Sequence, residues 1–111
     1  MPARNVRIVR VDELQPSQHI IRRKELERIA QENNSEMPEV WDVNDVLVIA
    51  DGHHRIYQAY QQGKRKIKVL YHSARNCLLK GVYEYLTEEM RKQAEMCREA
   101  GFFHVSDLII Q

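Results

Sequence analysis

The stretch that most constrains the fold is an unbroken apolar run, residues 46–50 (VLVIA), which leads directly into the string DGHHR, residues 51–55. An apolar run without polar alternation predicts a strand that is covered on both faces, in the interior of a sheet. The amphipathic pattern that follows predicts a helix up to residue 62. The segment therefore indicates a strand, a tight turn and a helix. Ligands of α/β sheets commonly bind at such a carboxyl end of a strand.

The DGHHR string places charged and ring side chains in the first turn of that helix. The unpaired backbone N–H groups and the positive end of the helix dipole favour an anion there. Gly52 lets the backbone approach such an anion closely, and Arg55 offers a planar, two-pronged donor that suits a phosphate. We therefore predict a phosphate- or carboxylate-binding turn, and the alternative is a structural turn that merely ends in glycine. The predicted ligand-binding residues are Gly52, His53, His54 and Arg55.

Asp51, His53 and His54 are the candidates for catalysis. Either imidazole can donate to a phosphate oxygen or move a proton, because it titrates near neutral pH. Adjacent histidines cannot point the same way on a helix, and the absence of an HExxH pattern disfavours zinc. Asp51 would be repelled by a bound anion unless it holds Mg²⁺, pairs with Arg55 or acts as a base on an acceptor hydroxyl. The alternative is that Asp51 accepts hydrogen bonds from the N–H groups that follow it and so pins the turn.

Further strands are predicted on both sides of this segment. Residues 6–11 alternate apolar and polar side chains, apart from Val9, and predict a strand with one wet face. Residues 39–43 predict an extended segment, and two turn-prone residues separate it from the apolar run, so these two strands should pair antiparallel. Residues 67–71 predict another strand, and Pro16 marks a turn before the first helix.

Apolar residues at helical spacing predict a surface helix over residues 22–32 and a second helix after the DGHHR turn, which Gly63 would cap. The predicted inward residues are Leu26, Ile29 and Ala30 in the first helix and Ile56, Ala59 and Tyr60 in the second.

The chain becomes helical again beyond His72. One buried helix face is predicted from Cys77, Leu78, Val82 and Leu86. Thr87 predicts the cap of a further helix that Gly101 ends, residues 102–103 should dock on the core, and residues 106–110 should form a last helical turn. Acidic and basic residues are interleaved on these helices, which disfavours a helix-turn-helix.

Composition bounds the class of protein. The 111 residues suffice for one domain, and 43% hydrophobic with 30% charged residues is typical of a globular chain. With a net charge of +1, the chain lacks the excess of basic residues that is typical of a dedicated nucleic-acid binder. A local contact with nucleic acid through the cluster KRK at residues 64–66 is an alternative. Cys77 and Cys97 belong to no metal or disulfide pattern and should be reduced thiols. No apolar stretch reaches membrane length, so we expect a cytoplasmic protein without a membrane partner.

The string IADGHHRI at residues 49–56, with MPEV at 37–40 before it and QG at 62–63 and IKV at 67–69 after it, resembles the ParB/sulfiredoxin superfamily. In that superfamily a strand leads into a Gly-His-His-Arg, Gly-Cys-His-Arg or Gly-Glu-Arg-Arg turn, which opens a helix and holds nucleotide phosphates. LQPS at residues 14–17 is similar to the first turn of the family. The likeness runs from about residue 6 to residue 71.

Members of the superfamily include partition proteins, nucleases, a sulfinic acid reductase and small-molecule kinases, so the resemblance implies a fold more directly than an activity. In the reductases the residue after the glycine is the reactive cysteine, and His53 stands there in this chain. Partition proteins continue into helix-turn-helix and dimerisation regions, for which we expect no room. The free-serine kinases share the DGHHR string, but they have an acidic catalytic residue near Pro16, where this chain has Gln18 and His19.

We predict an α/β (α+β) fold consisting of one ParB/sulfiredoxin-like domain over residues 1–111. A small mixed sheet with flanking helices should occupy residues 6–72, and a helical extension residues 73–111. The predicted function is binding of a nucleotide or another phosphorylated small molecule, with phosphoryl or phosphodiester transfer of the kinase, NTPase or nuclease type as the reaction. The expected cofactor is ATP, ADP or CTP with Mg²⁺, held in part by Asp51. The alternative is a non-catalytic DNA- or protein-associated module.

Overall fold

The computed structural model describes residues 5–31, 36–73 and 80–111, with side chains described from residue 85 onward in the last range. In chain order the elements are β1 (Val6–Arg10), β2 (Leu14–Gln15), β3 (Ile20–Ile21), α1 (Arg23–Gln31), β4 (Glu39–Val43), β5 (Val46–Asp51), α2 (His53–Gln61), β6 (Lys66–Ser73), α3 (Lys80–Glu99) and β7 (Ile109–Ile110). Two 3₁₀ turns, Val11–Glu13 and Val105–Asp107, precede β2 and β7. The predicted mixed α/β class is confirmed.

The main sheet has the strand order β1-β6-β4-β5-β2. β4 and β5 pair antiparallel, as predicted, through a turn in which Asn44 and Asp45 both have positive φ, 51° and 70°; such angles match the twist of a tight hairpin. β1 and β6 are also antiparallel, whereas β4 with β6 and β2 with β5 are parallel. β5 has a neighbour on each side, which confirms its interior position, although β4 is the middle strand.

Both faces of β5 are covered, as its apolar run predicts. Ile49 is fully buried in a cluster with Ile56 and Tyr57 of α2. Val48, its neighbour along the strand, faces the other way and packs in a second cluster that Ala94 of α3 completes. Burial of each such aliphatic side chain contributes roughly 1.5–3 kcal/mol relative to exposure. The first cluster packs the start of α2 against one face of the sheet, and the second packs α3 against the other face.

Several inward positions differ from those predicted. Tyr57 of α2 is buried instead of Tyr60, and Ala30 of α1 is exposed. In β1, Val9 is the partly buried residue, whereas Ile8 is 64% exposed. The reason is that side chains alternate along a strand, so Ile8 faces away from the core cluster that Val9 contacts.

The C-terminal region departs further from the prediction. Residues 80–99 form one helix, so the predicted second helix capped by Thr87 is wrong; extending an existing helix is easier than nucleating another. Gly101 ends α3 with a φ of 92°, as predicted. A helical turn is present at Val105–Asp107, as a 3₁₀ turn, but its predicted extension through Ile110 is wrong, because Ile109–Ile110 form β7, which pairs parallel with β3. Phe102 packs on the core, whereas Phe103 is exposed.

Some predictions lie outside the described residues: those for Cys77, Leu78 and the side chain of Val82. Within the described part of the chain, no helix combines the length and the apolarity that crossing a membrane would require.

Candidate functional site

The turn between β5 and α2 is built around Gly52. Its backbone lies in the left-handed region, with φ 90° and ψ 26°, and its carbonyl accepts the first bond of the helix from the N–H of Ile56 at 3.1 Å. A Cβ at this position would lie 2.8 Å from Cβ of Pro38. Glycine is therefore required by the fold itself, because both the φ angle and the contact with Pro38 exclude a larger residue.

A β-bulge precedes the turn and places Asp51. Glu39 pairs with Asp51 whereas Val40 pairs with Ile49, so Ala50 is the extra residue of β5. Bulges re-aim side chains next to functional sites. The carboxylate of Asp51 is exposed and has no hydrogen bond or ion pair within the described residues. It therefore does not pin the turn in the way that the structural alternative required.

His53 is 4% exposed and lies behind the turn. Its Nε2 accepts a hydrogen bond from the backbone N–H of Ser17 at 3.0 Å, and the hydroxyl of Ser17 donates to the carbonyl of Ile49 at 2.5 Å. Burial, with a smaller effect of His54, lowers the pKa of His53 to about 3. The ring is therefore neutral near pH 7 and carries its proton on Nδ1.

His54 makes the equivalent contact at the other end of the same loop. Its Nε2 accepts a hydrogen bond from the backbone N–H of Arg22 at 3.0 Å. Burial lowers the pKa of His54, an effect that Glu25 opposes and Arg22 reinforces. The two adjacent imidazoles thus diverge, as predicted, and hold the two ends of the segment 17–22.

This segment and the start of α2 border a cleft of about 630 Å³. Its polar lining residues include Ser17, Gln18, Arg22 and His54. Of the predicted site residues only His54 lines this cleft. The sequence prediction missed Arg22, which no motif marks, and it read Ser17 only as a turn residue.

The C-terminal region completes the same cleft. Gln93 and Met96 of α3 and Gln111 after β7 also line it. The N–H of Arg23 donates to the carbonyl of Gln111 at 2.8 Å, which fixes this edge. The predicted C-terminal extension of the domain therefore contributes to the candidate site.

Arg55 and Asp51 lie elsewhere around the turn. The Arg55 side chain is only 16% exposed and forms an ion pair at 3.6 Å with Glu36, whose side chain is 72% exposed. An anion can thus reach the guanidinium, since a carboxylate already does.

The described residues contain no group of three or more histidine, cysteine or acidic side chains that could hold a metal ion. Mg²⁺ is commonly held by one or two carboxylates together with substrate phosphates. Asp51 fits that pattern only as a single carboxylate, beside a turn for which phosphate binding is a prediction. It does not form a metal site from protein side chains alone.

Comparisons with known proteins reveal a similar fold and no relative in sequence. No protein-family model matches the chain, and no curated protein matches it. A solved structure that is similar is the protein Atu1540 from Agrobacterium tumefaciens, with a TM-score of 0.61 and 14% sequence identity over 96% of this chain. The likeness spans 62% of the length of Atu1540. It shows the fold alone. The resemblance to the ParB/sulfiredoxin superfamily stays a prediction.

Proposed function

We propose that the cleft beside the amino end of α2 binds a phosphorylated ligand, in the first place a nucleotide. The observation that carries the proposal is that Arg22 and His54 line one cleft at the start of this helix. A nine-residue helix presents three unbonded N–H groups and a partial positive charge at that end. A guanidinium beside such an end suits phosphate oxygens.

The charges around the cleft support an anionic ligand. Glu25 also lines the cleft, but its carboxylate is bound by Arg28 at 2.7 Å. This contact lowers the pKa of Glu25 and compensates its charge. His54 is neutral and its Nδ1–H has no acceptor among the described residues, so it can donate to a phosphate oxygen without repelling a cation.

The chain offers limited means for a transfer reaction. Asp51 is the exposed carboxylate closest in sequence to the turn and would accept the proton of an attacking hydroxyl or water, or hold Mg²⁺ against a phosphate. Arg55 would steady a phosphate by exchanging Glu36 for it. His53 would act only by positioning Ser17. The reaction class that these roles serve is phosphoryl or phosphodiester transfer.

A second candidate function is a non-catalytic DNA- or protein-associated module. It is favoured because Nε2 of each histidine accepts a hydrogen bond from a backbone N–H group. This structural role accounts for the presence of both histidines without a catalytic function. Cys97 is buried and free, in keeping with a reducing compartment such as the cytoplasm for either function.

The experiment is a thermal-shift screen with ATP, ADP, CTP and GTP, each with and without Mg²⁺. A nucleotide at 100 times its Kd should stabilise the fold by about 2.7 kcal/mol. The Arg22→Gln variant should lose most of this shift. Stabilisation by short duplex DNA, with none by any nucleotide, would favour the non-catalytic module instead.

A further inference from the structure

A second cleft, of about 640 Å³, lies at the opposite end of α2. Its cationic side chains are Arg10 from β1, Lys64 and Arg65 from the loop before β6, and Lys66 at the start of β6. Asp12 is its one carboxylate, and Arg10 binds it at 2.6 Å. Four cations against one carboxylate form a concentrated positive region in a chain whose net charge is only +1.

The backbone of this basic loop is held in place. The N–H of Val11 donates to the carbonyl of Arg65 at 2.9 Å, and the N–H of Lys64 donates to the carbonyl of Ala59 at 3.0 Å. Lys64, Arg65 and Lys66 form no ion pair with any residue that the structure describes. Their charges therefore face solvent from a fixed scaffold.

One feature of the cleft is unfavourable for the isolated fold. Arg10 and Lys66 are direct partners across β1 and β6. Like charges placed opposite each other on neighbouring strands destabilise a sheet. The dipole of α2 favours cations near its carboxyl end, but it does not explain cations that two strands supply. Asp12 compensates part of this repulsion through its ion pair with Arg10, and a bound polyanion would compensate the rest.

Neutral hydrogen-bond donors border the same cations. Nδ1 of His104 accepts a hydrogen bond from the N–H of Ser106 at 3.1 Å, so the proton of the neutral ring is on Nε2. The ring of Tyr60 contacts that of His104 edge-on, with centroids 5.1 Å apart. Both rings line the cleft. They add O–H and N–H donors that suit phosphate oxygens.

We infer that this basic cleft is a second anion site, which binds a ligand carrying several phosphate charges. The shared chemistry is that of a polyphosphate chain or of a nucleic-acid backbone. The site is independent of the cleft proposed above, since α2 separates Lys64 from the first turn by nine residues, roughly 13 Å at 1.5 Å per residue.

The test titrates sodium tripolyphosphate and, separately, a short single-stranded oligothymidylate into the full chain, with ¹⁵N chemical shifts as the readout. The triple variant Lys64→Gln, Arg65→Gln, Lys66→Gln is compared with Lys92→Gln, which removes one charge from an exposed pair on α3. Cooperative melting at or above the temperature of the unsubstituted chain would show that both variants fold.

Saturable shifts at residues 64–66 and 104 are expected, with binding at least about tenfold weaker in the triple variant and unchanged in Lys92→Gln. Tripolyphosphate binding without oligothymidylate binding would identify a small phosphorylated ligand. Oligothymidylate binding whose salt dependence flattens in the triple variant would identify a nucleic-acid strand. Shifts confined to residues 53–55, or equal losses in Lys92→Gln, would overturn the inference.

Discussion

Nε2 of His53 accepts a hydrogen bond from the backbone N–H of Ser17 at 3.0 Å. This contact joins the first turn of α2 to a loop 36 residues earlier in the chain. It requires a neutral imidazole, because a protonated ring has no acceptor. Since His54 holds Arg22 in the same way, the shape of the candidate cleft depends on the protonation of two adjacent rings.

The first prediction concerns pH. The pKa of His53 is about 3 in the folded chain and about 6.5 in the unfolded chain. Below about pH 6.5 the unfolded state therefore binds more protons than the folded state. The contribution of His53 to stability is therefore complete above about pH 6.5 and declines as the pH falls, by about 1.4 kcal/mol per unit. The lowered pKa of His54 acts in the same direction.

Urea unfolding between about pH 7 and pH 5 would measure this effect in a range where ordinary carboxylates are still ionised. NMR of the imidazole nitrogens should show His53 as the Nδ1–H tautomer throughout. Stability that stays constant across this range would contradict the assigned contacts.

The second prediction separates two glycines. Gly52→Ala should destabilise the fold by about 3 kcal/mol or more, because the left-handed backbone and the contact with Pro38 both oppose a methyl group. Gly63 also has a positive φ, 78°, but a Cβ there would meet open space. Gly63→Ala should therefore cost only about 1 kcal/mol. Equal losses in chemical denaturation would show that the contact with Pro38 is unimportant.

These contacts also show what the sequence could reveal. The strand, turn and helix around the DGHHR string were predictable because an apolar run, a glycine and an amphipathic helix follow one another locally. The roles of Ser17 and Arg22 were not, since hydrogen bonds between residues distant in sequence leave no periodic pattern. Gly52 was recognised, but its contact with Pro38 was not, because only the folded chain brings Pro38 near it.

The C-terminal region shows a second limit. Thr87 is a good cap residue, and its propensity predicted a helix start that the continuous α3 overrides. The pairing of β7 with β3 is likewise a long-range contact between strands of two residues each. Such short strands cannot be recognised by alternation.

The third prediction concerns Cys97, which is buried in α3. Burial raises the pKa of its thiol, so the reactive thiolate is disfavoured. Cys97→Ser should destabilise the fold by about 1–3 kcal/mol, because a buried hydroxyl replaces the thiol, and should leave ligand affinity unchanged. Loss of ligand binding in a variant with a native circular dichroism spectrum would contradict a purely structural role.

The fourth prediction uses the ion pair between Arg55 and Glu36. If Arg55 steadies a phosphate, Arg55→Ala should weaken nucleotide binding by about 1.5–3 kcal/mol. Glu36→Gln should instead strengthen it slightly, since the carboxylate no longer competes for the guanidinium. Isothermal titration of both variants gives the comparison, and a change of the same sign in the two would exclude this role for Arg55.

The fifth prediction compares two neighbouring arginines, of which only the first lines the candidate cleft. Arg22 lines the cleft at the amino end of α2, whereas Arg23 begins α1 and is not among its lining residues. Both side chains are exposed, so each substitution by glutamine removes one charge without disturbing the core. Any difference in affinity therefore reports the cleft itself.

The most direct test titrates a fluorescent ATP analogue with Mg²⁺ into Arg22→Gln and Arg23→Gln, both in the background of the triple variant that neutralises residues 64–66. That background removes the second cleft from the measurement. We predict an affinity about tenfold weaker for Arg22→Gln and within about twofold of the background for Arg23→Gln. Equal affinities in the two variants, or no saturable binding in the background protein, would contradict a phosphate site at the amino end of α2.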